Sequence, residues 1–160
     1  MPENSATDFL FEGLFSKPVV SKFDSELRTT DGGSSLLSAV DRRIGLTESL
    51  CGVLSDDRDP NRIQHSLLEI FRQRVFSIAL GYPDGNDSAR IGQDPSMKLI
   101  CGKAPSDPAR LASQPTISRF EHQLKGREVI ALSRELEHSV IDRIKKRHAR
   151  PKLITIDLDP

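Results

Sequence analysis

The sequence predicts a mainly α-helical protein followed by a single β-strand. Two observations predict the helices: apolar residues recur at intervals of three and four between Gly33 and Pro151, and Ser, Asp-Pro and Gly residues stand where helices would begin and end. A third predicts the strand, because apolar and polar side chains alternate from residue 152 to 159. We therefore divide the chain into a poorly ordered or extended N-terminal arm (1–33), a helical region (34–150) and a strand segment (151–160).

Composition limits the possible classes of protein. The 160 residues include 23 basic and 23 acidic side chains, so a DNA-binding surface would have to come from local segregation of charge. Cys51 and Cys101 lie far apart without a CxxC motif, which favours reduced cytosolic thiols over a disulfide. The N-terminus lacks the pattern of a signal peptide, and no apolar run approaches the roughly 18 residues that span a bilayer. The sequence therefore predicts a soluble, cytoplasmic protein with no membrane partner.

The N-terminal arm carries weak signals. Residues up to about Ser16 are mixed in character, and residues 17–28 place apolar side chains between Pro18 and the turn signal at 31–33. This pattern favours an extended segment or a hairpin arm.

Three helices are predicted next. The first is capped by Ser34 or Ser35 and ends at Gly45, and the second opens at Thr47. The third ends at Gly81, before the loop 81–87. Its apolar face consists of Ile63, Leu67, Ile70, Phe71, Val75 and Ile78.

Two Asp-Pro pairs mark the following segment. Asp94-Pro95 predicts the N-cap and first turn of a short helix that ends at Gly102, and Asp107-Pro108 predicts a turn or a brief helix start. A long helix is then predicted over about 128–148, closed by Pro151. Its apolar stripe consists of Val129, Leu132, Leu136, Val140 and Ile144.

Residues 111–124 contain a candidate DNA-contacting helix. A small-residue turn precedes a proline-initiated helix that carries Thr116, Ser118, Arg119 and Gln123. Short polar side chains and an arginine near a helix start are suited to phosphates and base edges in a major groove. The alternative is an ordinary capped surface helix.

The end of the long helix is basic. No acid interrupts the cluster after Asp142, and such a cluster can hold a DNA backbone in a salt-dependent way. The alternative is a solvated helix end, because cations favour a helix C-terminus. The cluster comprises Arg143, Lys145, Lys146, Arg147, Arg150 and Lys152.

Asp157 and Asp159 lie on one face of the predicted strand, an arrangement with which phosphoryl-transfer enzymes hold Mg²⁺. One strand cannot form such a site, so the alternative is a solvated acidic tail. The four histidines show no ligand spacing, and the chain has no Gly-rich phosphate loop or nucleophile elbow.

Several linked blocks resemble the front half of a DDE insertion-sequence transposase, most closely family thirteen-eighty of the IS4-like group. The first block runs from Arg72 through the loop 79–87 to Asp94-Pro95. The second covers residues 111–120, and the third is the strand 154–159, which is similar to the strand that bears the family's first catalytic aspartate.

The resemblance implies a helix-turn-helix-like DNA-binding region followed by the first strand of an RNase H-like α/β core. The family uses three carboxylates and Mg²⁺ to cut and join DNA; by position Asp159 corresponds to the first carboxylate, with Asp157 less well placed. Because the sequence stops at Pro160, it is expected to be a truncated fragment that lacks the other two, needs no cofactor and does not cut DNA. Expected partners are double-stranded DNA at the terminal inverted repeats, and itself or full-length transposase in an oligomer.

Two other functions are compatible with the sequence. The chain could be a stand-alone helix-turn-helix-like regulator, or a non-catalytic inhibitor that joins full-length transposase. A further expectation concerns solubility: exposure of Ile154, Ile156 and Leu158 would favour aggregation, and deletion after Pro151 would then improve solubility.

Overall fold

The computed structural model describes residues 28–147 and Thr155, together with the strand pairing of two dipeptides in the N-terminal arm. β1 (Phe9–Leu10) pairs antiparallel with β2 (Val19–Val20), with Phe9 opposite Val20. The rest of the described chain is mainly helical, as predicted. Apart from Thr155, the predicted strand lies outside the described residues.

The first two helices are separated by one glycine. α1 (Ser34–Ile44) ends at Gly45, whose φ of 66° is left-handed and suits a residue without a side chain. Its amide donates to the carbonyl of Asp41 at 2.6 Å, and α2 (Leu46–Gly52) begins directly afterwards. The extent of the predicted first helix is confirmed, but its predicted cap is wrong: Gly33 is the N-cap and makes no side-chain hydrogen bond, while Ser34 and Ser35 lie in the first turn. The second helix begins one residue before the predicted Thr47.

α3 (Leu67–Ala79) is capped by Ser66, whose hydroxyl accepts the amide hydrogen of Glu69 at 3.1 Å. The predicted start near Ile63 is wrong. Residues Pro60–Arg62 form a 3₁₀ turn, and Ile63 has an extended backbone with ψ of 109°. Ile63 fits the apolar spacing of the helix, but it lies between the turn and the serine cap and is therefore not part of α3.

Four more helices follow. Asp94 accepts the amide hydrogen of Met97 at 2.9 Å, which confirms the predicted N-cap of the short helix after it. Asp107-Pro108 forms a turn rather than a helix, closed by the amide of Ala109 on the Asp107 carboxylate at 2.8 Å. The helices are α4 (Ser88–Ile91), α5 (Pro95–Ile100), α6 (Gln114–Gln123) and α7 (Gly126–Arg147).

α3 contributes to two apolar clusters. The first, around Phe76, joins α3 to α4 and α5; its other members are Ile91, Met97, Ile100, Cys101 and Leu111. The second brings Ile70 and Phe71 against Ala112, Ile117 and Phe120. The Phe71 and Phe120 rings meet edge to face with centroids 6.3 Å apart. α3 is therefore the central helix, and it fixes the position of α6.

The long helix α7 does not bury its predicted stripe. Leu132 packs against the second cluster, but the other four stripe residues remain 46–50% exposed. None of the helices in the described part of the chain is long and apolar enough to cross a membrane.

Candidate nucleic-acid interface

α6 is anchored by a pair of hydrogen bonds just before it begins. The side-chain amide of Gln73 donates to the carbonyl of Ala112 at 2.9 Å and accepts the amide hydrogen of Ala112 at 2.9 Å. Both residues are buried, and Ile117 and Phe120 bury one side of α6 against α3. The sides of α6 that carry Ser118, Arg119 and Gln123 are not buried against α3.

Three of the four predicted α6 residues share one side of the helix, next to the buried side. Thr116, Arg119 and Gln123 are spaced three and four residues apart and line one wall of a cleft. Arg119 and Gln123 are exposed, and Arg119 donates to the Thr116 hydroxyl at 3.3 Å. Ser118 lies on another side of the helix, where His122 Nδ1 is 2.7 Å from the Ser118 carbonyl oxygen. The structure thus brings Thr116, Arg119 and Gln123 together and separates Ser118 from them.

The cleft has a volume of about 800 Å³, and its other wall is formed by the loop between α2 and α3. This loop carries three carboxylates, each beside a cation. Asp56 pairs with Arg58 at 2.6 Å, and the hydrogen bond from Arg58 lowers the pKa of Asp56. The other two pairs are Asp57 with Lys125 at 2.9 Å and Asp59 with Arg62 at 3.7 Å.

These three ion pairs determine which cation of the cleft is not offset by a neighbouring carboxylate. Since Arg58, Arg62 and Lys125 are offset by the loop carboxylates, Arg119 is the cation of this cleft that forms no ion pair with any described residue. Sequence analysis missed the loop wall, because the loop and α6 are nearly fifty residues apart in the chain.

Glu128 fixes the loop to the start of α7. One carboxylate oxygen accepts the Ser55 amide hydrogen at 3.0 Å and the Ser55 hydroxyl hydrogen at 2.5 Å. The other oxygen accepts the amide hydrogen of Lys125 at 2.8 Å, an N-terminal capping interaction. The hydrogen bonds from Ser55, followed by that from Lys125, lower the pKa of Glu128 to about 2. The ionised carboxylate therefore holds the two walls of the cleft in register.

The predicted basic cluster lies at the far end of α7. Arg143 donates to the carbonyl of Ile44 at 3.1 Å and is partly buried, so part of its role is structural. Lys145 and Lys146 are exposed and form no ion pair within the described residues. Arg147 is the last residue of α7, but its side chain, together with Arg150 and Lys152, lies outside the described part of the chain.

The contact between Arg143 and Ile44 brings Arg43 close to the basic end of α7, and sequence analysis did not include Arg43 in the basic cluster. Ile44 ends α1, whose last turn carries Arg42 and the exposed Arg43. The Arg42-Arg43 pair is visible in the sequence, but only the tertiary contact places it near the basic end of α7. At 1.5 Å per residue, Gly126 and Arg143 are about 25 Å apart along α7. The cleft and the basic end thus lie at opposite ends of one helix.

The lengths of the links on either side of α6 can be compared with the predicted helix-turn-helix-like segment. Residues 101–113 join α5 to α6, a longer link than the three or four residues of that motif. Residues 124 and 125 join α6 to α7. A short turn therefore connects α6 to α7 rather than to the helix before it.

The predicted metal ligands Asp157 and Asp159 lie outside the described residues. Within residues 28–147 and Thr155, no group of three or more His, Cys, Asp or Glu side chains is arranged to hold a metal ion.

Comparison with known proteins supplies one match. The family described as transposase DDE domain group 1 matches residues 11–160, which include all seven helices described above. No curated protein and no solved structure matches the chain.

Proposed function

The chain belongs to the transposase DDE domain group 1 family, and from this premise we propose that residues 28–147 bind the DNA on which the transposase acts. The proposed ligand is the terminal inverted repeat of the transposase's own element, bound in the cytoplasm. Within the family we propose membership of family thirteen-eighty of the IS4-like group, on the linked blocks at 72–95, 111–120 and 154–159.

One observation carries the proposal: Thr116, Arg119 and Gln123 stand side by side on α6 along one wall of the cleft, where Arg119 and Gln123 are exposed. Arginine forms paired hydrogen bonds with guanine, and glutamine forms them with adenine, on the major-groove edges of the bases. Because Arg119 pairs with no carboxylate among the described residues, DNA does not have to displace an internal ion pair to reach it.

We assign the basic end of α7 to the phosphate backbone. Lys145 and Lys146 are exposed there, and Arg43 of α1 lies at the same end of the domain. Lysine and arginine contacts to phosphates position a protein on DNA without reading its sequence. The two surfaces therefore have different roles, base recognition at α6 and backbone attachment at the end of α7.

Asp159, with Asp157 as the less well placed alternative, is the proposed first carboxylate of a catalytic site. Mg²⁺ held there would activate the attacking oxygen and stabilise the reacting phosphate. The site requires carboxylates beyond these two. The role that we propose for residues 28–147 is DNA binding.

The test is fluorescence anisotropy of the chain on two duplexes of equal length, the terminal inverted repeat and a scrambled version, at several salt concentrations. Tighter binding to the inverted repeat is expected. Arg119→Ala and Gln123→Ala should each reduce the preference by roughly tenfold or more, because a good bidentate base contact contributes about 1–3 kcal/mol of discrimination. Ser118→Ala is the matched control on the same helix and should keep the preference. Equal affinity for both duplexes, or no binding at low salt, would contradict the proposal.

A further inference from the structure

The loop between α2 and α3, which forms the wall of the cleft opposite α6, is held at both ends. At one end, Ser55 donates two hydrogen bonds to Glu128 of α7. At the other end, His65 Nδ1 lies 2.6 Å from a carboxylate oxygen of Glu69, and Lys103 Nζ lies 3.2 Å from the same oxygen. The loop therefore keeps its position beside α6 before any ligand binds.

Arg58 holds the middle of the loop. Its Nε and Nη2 donate to the two carboxylate oxygens of Asp56, each at 2.6 Å, and its Nη1 donates to the carbonyl of His65 at 3.0 Å. Each nitrogen of the guanidinium thus has a partner within the loop. Arg58 is therefore an internal brace, and its charge is already used inside the protein.

Arg62 is held much less tightly. It ends the 3₁₀ turn Pro60–Arg62, its side chain is 88% exposed, and its ion pair with Asp59 is 3.7 Å long. Ion pairs that are so exposed contribute little to stability. The other oxygen of Asp59 accepts the amide hydrogen of Asn61 at 3.0 Å, so Asp59 keeps a partner when the arginine leaves.

The three ion pairs of the cleft differ accordingly in how easily an anion can open them. The pairs of Asp56 with Arg58 and of Asp57 with Lys125 are 2.6 and 2.9 Å long, against 3.7 Å for Asp59 with Arg62. Arg62 is also the most exposed of the three cations. A negatively charged ligand that reaches the loop wall therefore displaces Asp59 from Arg62 first.

The shape of duplex DNA would place such an anion at this wall. An α-helix with its side chains is about 10–12 Å across, and the major groove is about 12 Å wide. A helix in the groove therefore fills it, and a protein segment that flanks the helix meets the sugar and phosphate groups at the edge of the groove. The loop flanks α6 in this way, across the cleft.

We infer that Arg62 binds a phosphate of the DNA strand that borders the groove entered by α6, and that this strand lies in the cleft. The inference rests on the proposed function, because it takes α6 as the element that reads base pairs. The phosphate replaces Asp59 as the partner of the guanidinium, whose planar set of N–H donors matches phosphate oxygens. Arg119 and Gln123 then meet the bases, and Arg62 meets the backbone beside them.

The exchange gives Asp59 a role of its own. Its carboxylate competes with the phosphate for the Arg62 guanidinium and repels the bound strand. Because phosphates are alike in every sequence, this competition lowers the affinity for all duplexes by the same factor. Asp59 thus limits attachment to unrelated DNA and leaves the preference for one sequence to α6.

Fluorescence anisotropy of the full chain, on the inverted repeat and the scrambled duplex, tests the inference. Arg62→Ala should weaken binding to both duplexes severalfold at low salt and leave the ratio of the two affinities unchanged. The slope of log K against log salt should become shallower by about 0.9, the contribution of one phosphate contact. The matched control is Arg134→Ala, which removes the same charge from an exposed position about 120° around α7 from Glu128, and should keep the slope.

A double-mutant cycle tests the exchange with Asp59. Asp59→Asn removes the carboxylate charge but keeps a side-chain oxygen for the amide of Asn61. It should tighten binding to both duplexes severalfold at low salt, and the gain should be much smaller when Arg62 is already alanine. A gain of the same size with and without Arg62 would overturn the inference, since it would show a general charge effect.

Two further results would overturn it: an Arg62→Ala variant with unchanged affinity and slope, or one whose loss is confined to the inverted repeat. Either result leaves the proposed function standing if Arg119→Ala still removes the preference. A lack of preference in the unaltered chain would instead remove both proposals. Because Arg62 and Asp59 are exposed, the variants are expected to fold, and circular dichroism verifies their helix content.

Discussion

Ser55 and Glu128 are 73 residues apart in the chain and are joined by two hydrogen bonds, from the serine amide at 3.0 Å and its hydroxyl at 2.5 Å. With the bond from Lys125, they lower the pKa of Glu128 from 4.5 to about 2. The folded state thus binds this proton less readily than the unfolded state does. The stabilisation is fully present above pH 4.5 and is lost as the pH falls towards 2.

The prediction is that Glu128→Gln lowers the melting temperature at pH 6 and that the gap from the unaltered chain closes between pH 4.5 and 2. Thermal unfolding followed by circular dichroism measures it. Glu137→Gln, at an exposed acid of the same helix, is the control and should show no such closing gap. A gap for Glu128→Gln that stays constant down to pH 2 would show that its carboxylate charge does not matter.

Gln73→Ala should destabilise the domain by about 2–4 kcal/mol, because it removes two hydrogen bonds and leaves the buried amide and carbonyl of Ala112 without partners. Urea unfolding measures the change. Gln64→Ala, at an exposed glutamine, should stay within about 0.5 kcal/mol of the unaltered chain. Equal stability of the two variants would mean that water replaces Gln73 without cost.

Lys145→Gln with Lys146→Gln should weaken binding to the inverted repeat and to scrambled duplex by the same factor. The slope of log K against log salt should become shallower by about 1.8, since each lost phosphate contact contributes about 0.9. Anisotropy titrations at four salt concentrations give the slope. An unchanged slope would place these lysines away from the DNA.

Asp57→Asn should strengthen DNA binding severalfold at low salt. Asp57 pairs with Lys125 at 2.9 Å on the wall that faces α6, and neutralising it both frees the lysine and removes a negative charge from the cleft. The gain should vanish near 0.5 M salt, where screening is strong. Glu137→Gln changes the net charge equally on α7 and should give a smaller gain; an equal gain would indicate a general charge effect.

Local chemistry predicted several helix starts. Asp94 before Pro95 caps α5 as expected, because an N-cap depends only on the next three residues. The start of α3 was placed too early, since Ile63 fits the apolar spacing but precedes the Ser66 cap. For α7, the spacing indicated which residues share a face but not whether the fold covers that face.

The candidate interface was predictable in part. The spacing of Thr116, Arg119 and Gln123 places them on one side of a helix whatever the rest of the fold is. The loop that faces them could not be predicted, because its position depends on a long-range bond between Ser55 and Glu128. The proximity of Arg43 to Arg143 could not be predicted either, because it depends on the contact between the end of α1 and α7.

The two hydrogen bonds between the side chain of Gln73 and the backbone of Ala112 have an evolutionary consequence. Gln73 contacts only the backbone at position 112, and the buried side of α6 is held through Ile117 and Phe120. None of these anchors involves Thr116, Arg119 or Gln123. The residues proposed to read DNA can therefore be exchanged while the helix stays in place, so a lineage of such proteins could acquire a new target sequence without first rebuilding its fold.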